Sequence, residues 1–298
     1  MAPRPIPAPM RVLRSLPLAL LLACGGASTD APATTPEASQ PAEGVMASAR
    51  ADLPYGDMAG ILAGDFRPEE ERARDVFRHP AETLAFFGVE PGKDVLELWP
   101  GRGWYTKILA PLLHESGSLV VATTDPSVDG YRGERDREMH ALWAAEPALY
   151  GNMETVVLDP PAHTNLGEPE SVDVVLTFRN THNWLGDGTQ EAGYAAAFRV
   201  LRPGGVLGVV QHRDADDATA DPSRGYLPTP FVVATAEAAG FVLDASSEVN
   251  ANGEDTKDHP SGVWSLPPAL RGGEEDAARF LAIGESDRMT LRFLKPAS

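Results

Sequence analysis

The stretch that decides the fold is residues 93–106, which reads KDVLELWPGRGWYT. Residues 94–98 form a short apolar run after the turn signal Pro91-Gly92, and this predicts a buried strand. Gly101 and Gly103 predict a tight turn at which a ligand can approach the main chain. Apolar residues at helical spacing then predict a helix over residues 105–113. In open α/β sheets, this strand–turn–helix connection binds ligands at the free N–H groups of the helix.

The acid inside the predicted strand narrows the choice of ligand. A glycine turn alone fits a nucleotide-binding loop and a plain strand-to-helix connection about equally well. Glu97, however, comes directly before the turn, where a carboxylate repels phosphate. A carboxylate suits a ligand that carries a cation and hydroxyl groups, such as S-adenosylmethionine (SAM), which has an ammonium, a sulfonium and a ribose.

Residues 97–103, ELWPGRG, resemble motif I of the class I SAM-dependent methyltransferases, usually written E/D-x-G-x-G-x-G. They resemble more narrowly a bacterial branch of predicted methyltransferases in which the turn reads E-x-W-P-G-x-G-W/Y-Y/W-T. The sequence departs from the general motif at its first glycine, where Trp99 stands. The resemblance covers the chain from about Asp75 onwards. It implies a Rossmann-like α/β fold with a mostly parallel seven-stranded sheet, helices on both faces, and SAM as the cofactor.

Acidic residues follow the next two predicted strands, over residues 118–122 and 154–158. The resemblance implies that Asp125 accepts hydrogen bonds from the ribose hydroxyls, and that Asp159 meets the adenine amino group. Each aspartate also precedes a proline, so each is equally a candidate for starting a turn. Glu97, Trp99, Gly101 and Gly103 complete the cofactor-binding residues expected in this half of the sheet.

A polar and aromatic cluster, Arg179-Asn180-Thr181-His182-Asn183-Trp184, follows a predicted strand over residues 171–178. The pattern F-R-N-x-H-N-W also recurs in the predicted methyltransferase branch. His182 is a candidate general base, because an unperturbed histidine titrates near pH 6.5. Asn180 or Asn183 is expected to orient it, and Asn180 and Tyr105 are the other two candidate catalytic residues. Arg179, Asn183 and Trp184 are candidate cofactor contacts. The alternative is a structural loop with a hydrogen-bonded histidine.

The remaining pattern predicts further helices and strands of the same fold. His79, within Arg78-His79-Pro80, is a candidate either for the cofactor end of the sheet or for a helix cap. Gln211-His212-Arg213 is a second candidate polar group at the sheet edge. The predicted helices are residues 57–62, 68–77, 81–87, 129–146, 191–201, 229–239 and 274–283. The predicted strands are residues 206–211, after the turn 202–205, then 241–246 and 289–294, the last two forming a closing hairpin.

Composition excludes several classes of function. The chain has 298 residues, a net charge of −18 and a pI of about 4.7, so it offers no basic surface for nucleic acid. Its single cysteine excludes a disulfide within the chain and a cysteine-rich metal site. The histidines lack the compact spacing of metal ligands, so no metal is expected.

The N-terminal residues predict export. Residues 1–24 combine arginines, an apolar run and the sequence LLAC, which resembles a bacterial lipobox. They are predicted to be a signal peptide, with a lipid on Cys24 as the protein's only link to a membrane. Residues 25–50 are predicted to be a disordered linker, and residues 51–298 the SAM-binding domain. The alternatives are an ordinary signal peptide, or a start codon assigned too early and a cytoplasmic protein.

These observations together predict a SAM-dependent methyltransferase that acts on a small-molecule acceptor. A second hypothesis is a SAM cyclase or lyase, in which the amine of SAM attacks its own carbon chain and gives azetidine-2-carboxylate and methylthioadenosine. A third is a lipoprotein that binds a ligand without catalysis, because an exported protein meets little SAM.

Overall fold

One seven-stranded sheet runs through the protein, whose computed structural model describes residues 53–272 and 274–297. The strands are β1 (Asp94–Leu98), β2 (Ser118–Thr123), β3 (Met153–Val157), β4 (Val172–Phe178), β5 (Leu201–His212), β6 (Val242–Ser247) and β7 (Arg288–Leu294). Their order is β3-β2-β1-β4-β5-β7-β6, and only β7 runs antiparallel to its neighbours. This confirms the predicted Rossmann-like fold with a mostly parallel sheet and a closing antiparallel pair.

Strand β1 lies at the centre of the sheet and matches its predicted bounds. Leu96 pairs with Val120 of β2 on one side and with Val175 of β4 on the other. Its neighbour Val95 packs in a different hydrophobic core, because successive side chains of a strand point to opposite faces. A strand covered on both faces is apolar along most of its length, which explains the run that the sequence shows.

The helices connect the strands and cover both faces of the sheet. They are α1 (Met58–Ala63), α2 (Glu69–Arg72), α3 (Asp75–Arg78), α4 (Pro80–Phe86), α5 (Thr106–Leu113), α6 (Tyr131–Ala145), α7 (Pro147–Tyr150), α8 (Thr181–Asp187), α9 (Gln190–Val200), α10 (Thr229–Ala238) and α11 (Glu274–Ile283). Short 3₁₀ turns lie at Pro222–Arg224 and Gly262–Ser265. Among the described residues, no helix is both long enough and apolar enough to cross a membrane.

Two predicted elements differ in the structure. The single helix predicted over residues 68–77 is broken into α2 and α3, where the buried guanidinium of Arg67 makes two hydrogen bonds with the Asp75 carboxylate, at 2.8 and 2.6 Å. The turn predicted over residues 202–205 lies inside β5. The Gly204 N–H donates to the carbonyl of Lys295, and the Lys295 N–H donates to the carbonyl of Gly205, so backbone pairing continues through the two glycines. The register of β4 and β5 shifts at this point to admit the extra residues.

The predicted signal peptide, the lipobox at Cys24 and the linker lie outside the described residues. Those that the structure describes all belong to one compact unit.

Gly208 tests the packing between the sheet and α4. A Cβ atom at this position of β5 would lie 2.6 Å from the ring of the fully buried Phe87. We therefore expect Gly208→Ala to lower the free energy of unfolding by about 1–3 kcal/mol, the usual cost of overpacking a core. Urea unfolding at pH 7 measures it. Gly253→Ala, which meets no atom within 4 Å, is the matched control. Equal stability of the two variants would contradict close packing at Phe87.

Candidate functional site

A cavity of about 520 Å³ lies at the carboxyl ends of the central strands. The turn after β1, the start of α6, and residues 178–183 after β4 form most of its wall, with His212 at the end of β5 and Trp264 opposite. Strands β2 and β4 flank β1 on either side, so the strand order reverses at this point. Ligands of open α/β sheets bind at such a reversal.

The turn after β1 contains three residues in the left-handed region. Trp99 has φ 47°, Gly101 φ 64° and Gly103 φ 69°. Trp99 takes the position of the first glycine of the general motif, where a side chain is strained. Its indole is held in place, because Nε1 donates to the carbonyl of Leu158 at 2.8 Å and the ring packs edge-on against Trp184. The turn geometry of the glycine motif is thus kept by a tryptophan that is anchored in the core.

Free backbone donors lie in this turn. Within the described chain, the N–H groups of Gly101 and Arg102 have no hydrogen-bond partner. The same turn leads into α5, whose N-terminal end carries the positive end of the helix dipole. A Cβ atom added to Gly101 would meet nothing within 4 Å, so this residue faces open space in the cavity. The turn therefore offers donors and room to a ligand.

Asn180 connects the ends of the two central strands. Its amide nitrogen Nδ2 lies 2.9 Å from the carbonyl oxygen of Leu98 and 3.1 Å from that of Trp99, and donates to these oxygens across the cleft. It follows Arg179, whose φ of 63° is again left-handed. The predicted role of Asn180 was to orient His182, but the structure shows it bonded to the backbone after β1. Asn180 lines the cavity and fixes its floor.

His182 lines the cavity in its neutral form. Its side chain is 6% exposed, and burial lowers its pKa to about 4. The amide of Gln211 lies 3.2 Å from Nδ1, and Gln211 in turn donates to the carbonyl of Gly225 at 2.8 Å. His182 is therefore a weaker base than the sequence alone indicated, because an unperturbed histidine titrates near pH 6.5.

Glu97 and Tyr105 lie behind the cavity wall. Glu97 is 1% exposed, accepts a hydrogen bond from Thr106 Oγ1 at 2.6 Å, and has a pKa that burial raises to about 7. Tyr105 stacks on Phe178 with ring centroids 3.6 Å apart, and its hydroxyl donates to the carbonyl of Arg78. Neither side chain lines the cavity. Their predicted contacts with cofactor or substrate stay predictions.

Four other predicted cofactor contacts also lie off the cavity wall. A Cβ atom at Gly103 would meet the side chain of Met139 at 3.0 Å, so this glycine allows α6 to approach. The Asp125 carboxylate accepts a hydrogen bond from the Ser127 N–H at 2.8 Å. This is the contact expected of an aspartate that starts a turn, which was the alternative role of Asp125. The remaining two are Asp159, whose backbone pairs with that of His163, and Trp184, which is fully buried. The structure brings together Trp99, Gly101, Arg179, Asn180, His182 and Asn183.

Arginines form the part of the site that sequence reasoning missed. Besides Arg179, the cavity wall contains Arg74, Arg78, Arg102, Arg132 and Arg135, and among the described residues it contains no Asp or Glu. The net charge of −18 gave no sign of this. The motif Arg78-His79-Pro80 was one signal, but it pointed to His79, which instead links α3 to α4 with φ 40°.

The described residues form no candidate metal site. No three His, Cys, Asp or Glu side chains are grouped there so as to hold an ion.

The comparisons with known proteins bear on the fold. Neither a protein-family model nor a curated protein sequence matches the chain. Solved structures do. The [4+2]-cyclase SpnF has a TM-score of 0.53 at 16% identity, over 74% of this chain and 82% of that chain. A SAM-dependent methyltransferase from Aquifex aeolicus has a TM-score of 0.48 at 20% identity, over 65% of this chain and 93% of that chain. The glycopeptide N-methyltransferase MtfA, complexed with sinefungin, has a TM-score of 0.47 at 14% identity, over 75% and 87%.

The strand order and the similarity to the first of these structures place the chain in one fold class. The protein has the Rossmann-like α/β fold of the class I methyltransferases.

The depressed pKa of His182 predicts a pH dependence of stability. The unfolded chain takes up a proton on this histidine near pH 6.5, whereas the folded protein does so only near pH 4, so stability falls as the pH drops through this window. Between pH 7 and pH 5 the unmodified protein should lose about 2 kcal/mol more than His182→Gln. Urea unfolding at both pH values measures the difference.

His163 supplies the control, because its side chain is exposed. His163→Gln should keep the pH dependence of the unmodified protein. If His182→Gln kept it as well, the burial of a neutral His182 would be contradicted.

Proposed function

We propose that the protein is a SAM-dependent methyltransferase that acts on a small-molecule acceptor. One observation carries the proposal: a cavity at the reversal of strand order, between the glycine turn after β1 and the polar side chains after β4. When bound, SAM supplies a methyl carbon that its sulfonium makes electrophilic. The protein then needs to align an acceptor with that carbon and exclude water.

The described residues fit such a cofactor. The cavity volume lies within the range of small-molecule sites. The unpartnered N–H groups of Gly101 and Arg102 suit the carboxylate end of an amino acid. Asp125 lies off the cavity wall, two residues after β2, and its role toward the ribose hydroxyls rests on the resemblance to the class I methyltransferases. The resemblance to the bacterial methyltransferase branch, through residues 97–106 and 178–184, supports the same assignment.

The side chains after β4 and β5 would act on the acceptor. His182 is neutral at pH 7 and partly shielded by Trp264, whose ring centroid lies 5.9 Å from its own. A histidine of such low basicity accepts a hydrogen bond more readily than it removes a proton. The site therefore suits an acceptor that is already nucleophilic, with His182 as an orienting group. His212, also buried and with a lowered pKa, closes the same side of the cavity.

Export as a lipoprotein remains part of the proposal. The lipid on Cys24 would hold the domain at a membrane, with residues 25–50 as the tether. The supporting observation is the sequence alone, LLAC after an apolar run.

Gly101 provides a test of cofactor binding. Gly101→Ala puts a methyl group into the open space of the turn. We expect this methyl group to keep the SAM analogue sinefungin away from the N–H donors of the turn. The loss of charge-assisted hydrogen bonds should weaken sinefungin binding at least about ten-fold in calorimetry. Gly188→Ala is a matched control, because Gly188 has φ 67°, equally free space, and lies at the exposed end of α8. Both variants should lose about 1–2 kcal/mol of stability.

Equally weakened sinefungin binding in both variants would attribute the loss to backbone strain at a left-handed glycine. It would then contradict a role of the turn after β1 in cofactor binding. No binding of sinefungin or SAM to the unmodified protein would favour the ligand-binding lipoprotein instead.

The product formed from SAM distinguishes the two enzymatic readings. We expect the full chain, incubated with SAM alone and followed by mass spectrometry, to leave SAM unchanged, because methyl transfer requires an acceptor. Methylthioadenosine formed without an acceptor would instead establish cyclisation or cleavage. The cavity wall does not favour that reaction. Of its two candidate bases, Tyr105 is 5% exposed and stacked on Phe178, and His182 is a weak base whose pKa burial lowers to about 4.

A further inference from the structure

Four arginines surround a single carboxylate beside the cavity. We call Arg74, Arg78, Arg179 and Arg288 the arginine cluster. Glu285 accepts from Arg74 Nε at 2.6 Å, from Arg78 Nε at 3.0 Å and from Arg288 Nη1 at 3.0 Å. Arg179 faces the same carboxylate electrostatically without a hydrogen bond to it. With Glu285 ionised, the cluster holds three positive charges in excess.

Arg78 and Arg179 line the cavity with hydrogen-bond donors that have no partner in the described chain. Arg78 is 1% exposed, lines the cavity, and keeps Nη1 and Nη2 without a partner among the described residues. Its guanidinium lies 4.6 Å over the ring of Trp104, which fixes its plane. The side chain of Arg179 also lines the cavity and has no hydrogen bond within the described chain. The donors of Arg78 are buried, and buried donors without partners are costly, so their retention indicates a ligand that completes them.

The other arginines of the wall are already paired. Arg132 forms an ion pair with Asp187, Arg135 with Asp136, and Arg102 with Glu138. Along the cavity wall that the structure describes, the unpaired positive charge therefore belongs to the arginine cluster. This concentration occurs in a chain with 43 acidic and 25 basic residues, so a surplus of cations is a local feature of the site. Burial, followed by the neighbouring charge of Arg78, lowers the pKa of Arg179.

We propose that the acceptor carries an anionic oxygen group, a carboxylate or a phosphate, which Arg78 and Arg179 bind in the cavity. The inference rests on the proposed function and names the class of its substrate. Guanidinium groups bind both kinds of oxyanion through paired N–H donors, and the two arginines come from different elements at the site, the end of α3 and the residue after β4.

The cofactor does not remove the need for this anion. SAM carries one carboxylate, one ammonium and one sulfonium, and thus a net positive charge. Its binding would increase the positive charge of the cavity, even if its carboxylate met one arginine. An anionic acceptor compensates the cluster and stands beside the sulfonium, whereas a cationic acceptor would be repelled by both.

Arg179→Gln is the variant that tests the proposal. The loss of its guanidinium breaks no hydrogen bond in the described chain, so the variant should fold. The probes are malonate, inorganic phosphate and the neutral malonamide, titrated calorimetrically into the full chain with and without saturating sinefungin. We expect malonate or phosphate to bind with Kd of about 1 mM or tighter in both states, and malonamide not to bind. Arg179→Gln should weaken the anion at least about ten-fold. A loss of sinefungin affinity as large as that of the anion would return Arg179 to the predicted cofactor contacts and overturn its role toward the acceptor.

Arg132→Gln is the matched control, because it removes one positive charge from the same wall but from an existing ion pair. Its effect on the anion should be at most about two-fold. Either oxyanion supports the proposal, and the tighter of the two identifies the group. Equal losses of anion affinity in the two variants would show that the anion responds to the overall positive charge of the cavity wall and not to Arg179, which would overturn the proposal. Displacement of malonate by sinefungin would assign the cluster to the cofactor carboxylate, and absence of anion binding would also overturn the proposal. Failure of sinefungin to bind would refute the proposed function separately, since the anion titration of the free protein does not depend on it.

Discussion

The site depends on the bond between the Asn180 amide and the two carbonyl groups that end β1. Strands β1 and β4 are each followed directly by a left-handed residue, Trp99 after β1 and Arg179 after β4. Neither is a glycine, so both conformations cost free energy and must be held by their surroundings. The amide of Asn180 joins the carbonyls of Leu98 and Trp99, and the anchored indole of Trp99 supports them from below. The turn after β1 and the residues after β4 are thereby linked, and the cavity lies between them.

Burial dominates the chemistry of the groups around this gap. It raises the pKa of Glu97 to about 7 and lowers that of His182 to about 4, so the carboxyl group and the imidazole both move towards their uncharged forms. The arginines cannot neutralise themselves at ordinary pH, and they keep their charges in the same surroundings. The result is a cavity at which the uncompensated charge of the described residues is positive. A neutral histidine beside surplus guanidinium groups favours the binding and orientation of an anion over acid–base catalysis.

Sequence patterns predicted the parts of the structure that local physics determines. The bounds of β1, the glycine turn and the start of α5 follow from an apolar run, two glycines and helical spacing within residues 93–113. The polar residues after β4 were found because parallel strands deliver their carboxyl ends to one edge of the sheet. The arginine cluster was not found, because Arg78 and Glu285 are 207 residues apart and only the finished fold brings them together.

Other differences have a similarly non-local cause. Asn180 was expected to serve His182, but the chain turn at Arg179 directs its amide to the end of β1 instead. Tyr105 and Trp184 were expected at the site as aromatic residues near polar motifs. In the structure each packs against another ring, Phe178 and Trp99, because large apolar surface gains more from burial than from a place at an open cavity.

The fold itself leaves the reaction open. A structure described as a [4+2]-cyclase shares it, and one fold commonly hosts unrelated reactions. What can distinguish this protein is the wall of its cavity, where the turn offers backbone donors to a cofactor on one side and the arginine cluster offers charge on the other. The two features are built from different parts of the chain, residues 99–103 and the ends of α3 and β4. Under the proposed function the turn would hold the cofactor and the cluster the anionic acceptor, and a transfer reaction requires both ligands to be bound at the same time.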